Sequence, residues 1–120
     1  MDQRPYEKII AWQEAHLLCT SLYKITKSFP SEEKFSLVNQ MRRSAYGVPM
    51  NIAEGNARRS SKEKLRFLEI SQASLEELHY QCRLSKDLDY ISSEVFLKID
   101  KHIQRVSYLL MRLRGSLLHL

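Results

Sequence analysis

Hydrophobic residues recur every three or four positions along most of this chain, which is the spacing of one buried helical face. The first such segment predicts a helix over residues 9–29, because Pro30 disfavours helical geometry in the residue before it. Its apolar face is predicted to consist of Ile9, Trp12, Ala15, Cys19, Leu22, Tyr23, Thr26 and Phe29. The polar residues 1–8 predict a short arm that leads into this helix.

The second segment begins after Pro30 with residues that favour a helix start. Ser31 is a good N-cap, and Glu32 and Glu33 suit the positive end of the helix dipole. A helix is therefore predicted from Ser31 onward. Its apolar face is predicted to consist of Phe35, Val38, Met41, Ala45, Val48 and Ile52.

Three residues in this second segment are unusual inside a helix. Pro49 cannot donate a backbone hydrogen bond to the Ala45 carbonyl, so a kink is predicted there. Gly47 would make bending easier. Gly55 is predicted to end the helix, because glycine adopts left-handed backbone geometry without a steric penalty.

Capping residues mark the starts of two further helices. Ser60 and Glu63 have capping-box spacing, with Ser61 as an alternative cap, and Ser92 or Ser93 caps the last helix. The third helix, which ends near Leu88, has an apolar face of Leu65, Leu68, Gln72, Leu75, Leu78, Cys82 and Leu84 or Ser85. The fourth has Phe96, Ile99, Ile103, Val106, Leu110, Leu113 and Leu117.

Four amphipathic segments with short connections predict an all-α, up-down-up-down four-helix bundle. The 120 residues suffice for one domain, 1–120, and three glycines and three prolines are too few for the turns of an all-β fold. The first and last helices carry apolar residues beyond the core stripe, which leaves self-association and a monomer equally open. These residues are Leu17, Leu18, Tyr108, Leu109 and Leu118.

Basic residues are concentrated in one window of the chain, residues 42–66. The window holds seven of the 19 basic and two of the 14 acidic residues, which leaves 12 of each sign elsewhere. It therefore accounts for the whole formal charge of +5. The basic residues of the window are Arg42, Arg43, Arg58, Arg59, Lys62, Lys64 and Arg66.

A concentrated positive charge on an otherwise neutral chain favours binding to nucleic-acid phosphates without sequence preference. Tyr46 and Phe67 are the only aromatic residues near the cluster in sequence, which favours phosphate contact over base recognition. A solvated basic turn and a surface for an acidic partner protein are the alternatives. The sequence does not distinguish RNA from DNA.

The motif P-M-N-I-A-E-G at 49–55 is interpreted as structural. Asn51 and Glu54 are predicted to satisfy backbone groups that Pro49 leaves without partners. Glu54 also has three candidate ion-pair partners, Arg42, Arg43 and Arg58.

Metal or catalytic chemistry finds little support. Glu76 and His79 match half of a di-iron Glu-x-x-His motif, but the fourth helix lacks the second half. His79 and Cys82 provide two ligands, where zinc usually takes three or four from the protein. No Gly-x-Ser-x-Gly, Walker or Gly-x-Gly-x-x-Gly motif occurs. We expect no metal, no cofactor and no enzymatic activity.

The location of the protein is predicted to be cytoplasmic. Cys19 and Cys82 are far apart in sequence and are interpreted as buried free thiols in a reducing compartment. The N-terminus lacks the apolar core of a signal peptide, and no apolar run approaches the roughly 20 residues that span a bilayer. No membrane association is expected.

Five motifs in order resemble the bacterial four-helix-bundle family first named for open reading frames within intervening sequences of 23S ribosomal RNA genes. The resemblance extends from about residue 6 to 113. The motifs are W-Q-E-A-H at 12–16, S-F-P at 28–30, Q-M-R-R-S-A at 40–45, V-P-M-N-I-A-E-G at 48–55 and R-F-L-E-I-S-Q-A-S-L-E-E-L at 66–78. The chain is also similar to accessory variability proteins of diversity-generating retroelements.

The resemblance implies a ring-shaped homopentamer without established enzymatic activity. The similarity to accessory variability proteins further implies nucleic acid and a reverse-transcriptase-like protein as partners. Tyr46-Gly47-Val48 stands where many relatives have Ser-Ile before the proline. The positions that match the family motifs are Gln40, Arg42, Arg43, Pro49, Asn51, Glu54, Gly55, Arg58, Lys62 and Phe67.

Overall fold

The structure is a computed structural model that describes residues 3–118. Four long helices account for most of these residues, and no strand occurs among them. The helices are α1 (Ile10–Thr26), α2 (Leu37–Asn56), α3 (Ser61–Asp87) and α4 (Ser93–Leu118). Two short 3₁₀ turns, Pro5–Lys8 and Ser31–Glu33, precede α1 and α2. The prediction of an all-α protein with four helices is confirmed.

Each helix packs against its neighbours in the chain, and α1 also packs against α4. Successive helices are antiparallel. Ser71 near the middle of α3 bonds to Val48 of α2, whereas Ser85 near the end of α3 bonds to Met41 near the start of α2. The molecule measures 46 × 28 × 23 Å, as expected for a bundle of helices of this length. Within residues 3–118, no helix is long and apolar enough to cross a membrane.

The core agrees with most of the predicted stripes of α2, α3 and α4 and differs in part from the predicted face of α1. Ala11 and Leu18 are buried in α1, and Leu18 is only 1% exposed, although it was predicted to be a surplus apolar residue. Trp12 and Tyr23 were predicted in the core, yet Trp12 is half-buried and Tyr23 is exposed. Ala15, Cys19, Leu22, Thr26 and Phe29 are buried as predicted. The observed face of α1 therefore overlaps the predicted one and is shifted towards Ala11 and Leu18, because a three-or-four spacing describes two adjacent faces of a helix almost equally well.

The start of α2 was predicted wrongly. The residues Ser31–Glu33 form a 3₁₀ turn, and the α-helix begins only at Leu37. The Ser36 hydroxyl donates to Glu33 Oε1 at 2.6 Å and holds this turn. Phe35 therefore lies outside the helix and is 85% exposed instead of buried.

The two glycines of α2 allow close packing against α3. A Cβ atom on Gly55 would lie 2.9 Å from Cβ of Phe67, and one on Gly47 would lie 2.9 Å from the Ser74 hydroxyl. Neither glycine has a positive φ angle, and α2 continues to Asn56. The prediction that Gly55 ends the helix through left-handed geometry is therefore wrong, because its lack of a side chain serves interhelical packing instead.

Serine caps begin α3 and α4 as predicted. The Ser60 hydroxyl accepts a hydrogen bond from the Glu63 amide at 3.1 Å, and the Ser92 hydroxyl accepts one from the Val95 amide at 3.1 Å. The first of each pair of candidate serines is thus the cap. Asp89 has a φ of 63°, the geometry that often follows a helix end, at the close of α3. The first helix ends at Thr26, three residues earlier than predicted.

Candidate nucleic-acid interface

The connection from α2 to α3 presents most of the predicted basic residues to solvent. Arg58, Arg59, Lys62 and Arg66 are exposed, and Lys64 is half-buried. They flank the Ser60 cap, where the first amides of α3 lack acceptors within the helix. We call these five residues the α3 basic cluster. The connection consists only of residues 57–60, so Arg58 and Arg59 lie next to the basic residues in the first turns of α3.

Within the described residues, no acidic side chain forms an ion pair with the α3 basic cluster. The guanidinium carbon of Arg58 lies 4.6 Å from the centre of the Phe67 ring, a cation–π geometry that holds the side chain over α3. The same Phe67 packs against Gly55, so helix packing positions Arg58.

Arg42 and Arg43 lie towards the opposite end of α2. Arg42 Nε donates to the Thr26 hydroxyl at 3.0 Å and its Nη2 donates to the Tyr23 carbonyl at 3.2 Å. Arg42 thus satisfies an acceptor at the C-terminal end of α1, where positive charge is favourable. Fourteen residues of helix separate Arg42 from Asn56, about 21 Å at 1.5 Å per residue. The fold does not bring Arg42 and Arg43 into the α3 basic cluster.

Asn51 bonds to the backbone of the proline turn. Its amide donates to the Gly47 carbonyl at 2.7 Å, and the Ser71 hydroxyl of α3 donates to the Val48 carbonyl at 2.8 Å. The carbonyl that Pro49 leaves without a donor is that of Ala45. Asn51 therefore supports the turn through Gly47 and not through the predicted Ala45 group. The helix continues through Pro49, and the kink remains a prediction.

Glu54 and Gln40, the other polar members of the family motifs, are both exposed on α2. Within the described part of the chain, Glu54 forms no ion pair, so none of its three candidate arginine partners is engaged. Glu54 instead lines a groove between α1 and α2. A structural role for Glu54 within one copy of the protein therefore has no contact to support it.

This groove between α1 and α2 encloses about 850 Å³ and was not anticipated from the sequence. Its aromatic lining comes from Tyr6, Trp12, Tyr23 and Tyr46. The rings of Trp12 and His16 stack with centroids 4.9 Å apart and planes 6° apart. Trp12 and Tyr23 were assigned to the core, and Tyr46 was considered only together with Phe67, as an aromatic residue near the basic window. Their convergence depends on how α1 is rotated in the bundle.

Three further basic residues border this part of the surface. Lys24 and Lys27 line the groove on the α1 side, near the end where Arg42 stacks on Tyr23 at 4.6 Å. Arg4 lies beside Ala57 at the other end, next to the α2–α3 connection. They were missed because each lies far outside the 42–66 window in sequence.

His79 and Cys82, the residues considered as metal ligands, have structural surroundings. His79 Nε2 lies 3.2 Å from Oδ1 of Asp100 and joins α3 to α4, whereas Glu76 is exposed. Burial, followed by the negative charge of Asp100, raises the pKa of the Cys82 thiol to about 12. The thiol is therefore protonated at neutral pH. Among residues 3–118, no three His, Cys, Asp or Glu side chains converge as metal ligands.

Comparison with known proteins agrees with this architecture. A crystal structure of a protein of unknown function from the S23 ribosomal protein family of Bacteroides thetaiotaomicron superposes with a TM-score of 0.82. The two chains are 20% identical, and the match covers 88% of this chain and 96% of the other. At that identity the likeness shows the fold alone. No curated protein matches this chain.

The family model described as "23S rRNA-intervening sequence protein" matches residues 7–112. The matched region begins in the 3₁₀ turn before α1 and ends within α4, so it includes all of α1, α2 and α3, most of α4 and both glycine contacts. It also includes the α3 basic cluster. This extent confirms the family that the five sequence motifs indicated. The chain belongs to the 23S rRNA-intervening sequence protein family.

Proposed function

We propose that this protein is a non-enzymatic, homo-oligomeric four-helix bundle that binds RNA or DNA through phosphate contacts in the cytoplasm. The observation that supports this proposal is the α3 basic cluster, five basic side chains without ion pairs inside residues 3–118. Arginine guanidinium groups bind phosphate in a bidentate manner, and the free amides of a capped helix start attract anions. The cluster combines both features.

The rest of the molecule favours contact with phosphates over recognition of a sequence. Arg58 and Arg59 lie on the short α2–α3 connection, and Lys62, Lys64 and Arg66 lie in the first two turns of α3. Arg58 is held over Phe67, but the other exposed members of the cluster are free to follow a phosphate backbone. The expected binding is therefore electrostatic and strongly dependent on salt.

Self-association would repeat the cluster around an assembly and add weak contacts by multivalency. The feature that supports it is the outer face of α4, where Leu97, Tyr108, Met111 and Leu118 are exposed. Such a row of apolar residues is more than the scattered apolar exposure of a monomer requires. A pentamer would have five times the 14.2 kDa mass of one chain, which light scattering would measure directly. A monomer at all concentrations would contradict this part of the proposal.

A second candidate function is a scaffold for a partner protein, either an acidic protein or one resembling a reverse transcriptase. The same exposed face of α4 favours it, because apolar and aromatic side chains are enriched at protein interfaces. A pull-down that recovers one protein, together with no RNA or DNA binding at low salt, would favour this second function.

The test of nucleic-acid binding is an anisotropy titration with labelled RNA and DNA over a range of salt concentrations. In the test variant, Arg58, Arg59 and Lys62 are changed to Ala. In the matched control, three exposed lysines outside the 42–66 window, Lys34, Lys98 and Lys101, are changed to Ala. Both variants remove three positive charges, so net charge alone cannot separate them.

The test variant is expected to bind more weakly than the control. Each lost phosphate contact lowers the slope of log affinity against log salt by about 0.7 to 0.9, so the slope should fall by roughly 2 to 3. Thermal unfolding of each variant checks that the fold is intact. Equal affinities and equal salt slopes for the two variants would reject the α3 basic cluster as the binding surface.

A further inference from the structure

The groove between α1 and α2 has more aromatic surface than one stable bundle needs to expose. It contains the single tryptophan of the chain and three of its six tyrosines. Tyr46 is 40% exposed, and Met50 beside it is also exposed. Aromatic rings of this size contribute most to stability when they are buried. Their placement in an open groove therefore indicates a binding site for another molecule.

The groove has basic residues at one end, and Arg4 lies beyond the other end. At the basic end lie Lys24 and Lys27, with the guanidinium of Arg42 stacked on Tyr23. The other end leads past Tyr6 to Arg4 and Ala57, where the α2–α3 connection begins. Aromatic surface thus extends from the two lysines towards that connection.

We propose that this groove holds the unpaired bases of a single-stranded nucleic acid, whose phosphates contact Lys24 and Lys27. The inference rests on the proposed nucleic-acid binding and specifies its substrate as single-stranded. Bases stack on aromatic side chains irrespective of sequence, and planar guanidinium groups extend such a platform. The Arg42–Tyr23 stack, at 4.6 Å, presents a planar cation at the end of the groove near Lys24 and Lys27.

Charge favours a polyanion over a second copy of this chain. The apolar outer face of α4 is the natural candidate from a second copy, but it is flanked by Lys98, Lys101 and Arg112. These would approach the lysines on the rim of the groove with the same sign of charge. Among the described residues that line the groove, Glu54 is the single acid. The phosphates are therefore assigned to the α1 side, away from Glu54.

Trp12 provides a direct probe because it is the only tryptophan in the chain and lies in the groove. Its emission is measured during titration with three ligands of equal length: oligo(dT), an abasic oligomer with the same phosphates, and a duplex. Oligo(dT) is expected to quench Trp12, because a stacked base contacts the ring. The abasic oligomer and the duplex are expected to bind with little quenching.

Tyr46→Ala is expected to weaken oligo(dT) binding about tenfold, the effect of losing one stacked base, and to leave binding of the abasic oligomer unchanged. Tyr46→Phe should retain the affinity, since the ring is kept. The matched control is Tyr80→Ala, which removes a tyrosine that is 64% exposed on α3, outside the groove. Lys24→Ala with Lys27→Ala should weaken oligo(dT) and the abasic oligomer alike.

The outcomes separate this inference from the proposed function. Equal binding of oligo(dT) and the abasic oligomer, with Trp12 emission unchanged, overturns the groove as a base site and leaves phosphate binding intact. Failure of all three ligands to bind at low salt overturns both. Quenching of Trp12 emission by iodide is measured in the same way. If the protection from iodide increases with protein concentration and does not change when oligo(dT) is added, a second copy occupies the groove.

Discussion

The stretch from Gln40 to Arg66 consists of two halves that differ in what surrounds them. In the α2 half, Gly47, Asn51 and Gly55 are buried against α3 or bonded to the backbone. In the half that follows, Arg58 and Arg59 are exposed. The α2 half thus holds α2 and α3 together, whereas the half that follows is available to a partner.

The packed half also determines where the exposed half lies. Gly55 lets the end of α2 approach Phe67, and Phe67 in turn supports the guanidinium of Arg58. A change in the distance between α2 and α3 would therefore move the basic residues as well as weaken the core. This coupling means that stability and binding must be measured together in every variant.

Gly55→Ala tests the packed half and should have the largest effect. The added methyl group would lie 2.9 Å from Phe67 Cβ, which cannot rotate away, so the helices must separate. We expect the free energy of unfolding to fall by about 2 kcal/mol, within the usual cost of overpacking. The measurement is urea denaturation followed by circular dichroism.

Gly115→Ala is the control for this change, because no atom of residues 3–118 lies within 4 Å of the Cβ position of that glycine on α4. Alanine is the better helix former by about 1 kcal/mol, so this variant should be neutral or more stable. If Gly55→Ala were as stable as Gly115→Ala, the interface between α2 and α3 would accommodate a methyl group. Close packing would then not explain the glycine at position 55.

Arg42→Ala should have an intermediate effect on stability. It removes two hydrogen bonds to α1 and the stack on Tyr23, for an expected loss of about 1.5 kcal/mol in the free energy of unfolding. Arg43→Ala is the control, since Arg43 is the exposed neighbour, and should change stability by less than about 0.5 kcal/mol. Equal losses for the two arginines would contradict a structural role for Arg42.

Ser60→Ala should have the smallest effect of the three, at the boundary between the halves. It removes the acceptor for the Glu63 amide and should cost about 1 kcal/mol in denaturation measurements. Ser61→Ala, the other candidate cap, should cost clearly less. Equal losses in the free energy of unfolding for the two substitutions would show that Ser60 is not the N-cap of α3.

Much of the fold was accessible from the sequence because it depends on local rules. The serine caps at Ser60 and Ser92 were predicted, since a hydroxyl and an amide three residues apart are bonded within one turn. The exposed position of Phe35 was missed, because the Ser36–Glu33 hydrogen bond accompanies a 3₁₀ turn where Ser31 was expected to cap the α-helix.

The candidate site was only partly accessible. The α3 basic cluster is contiguous in sequence, so its charge could be counted directly. The aromatic groove could not be found in this way. Trp12 and Tyr46 are 34 positions apart in the printed sequence, and they meet only because α1 turns Ala11 and Leu18 towards the core and leaves Trp12 at the edge.

The sequence by itself determined the number of helices, the caps of α3 and α4, the local charge and the family. Each of these depends on residues that are close along the chain, where spacing and hydrogen-bonding rules apply directly. The tertiary structure decided which face of α1 is buried, what Gly55 does, and that Arg42 lies far from Arg58. These features depend on how the helices pack together, because close packing brings into contact residues that lie far apart along the chain.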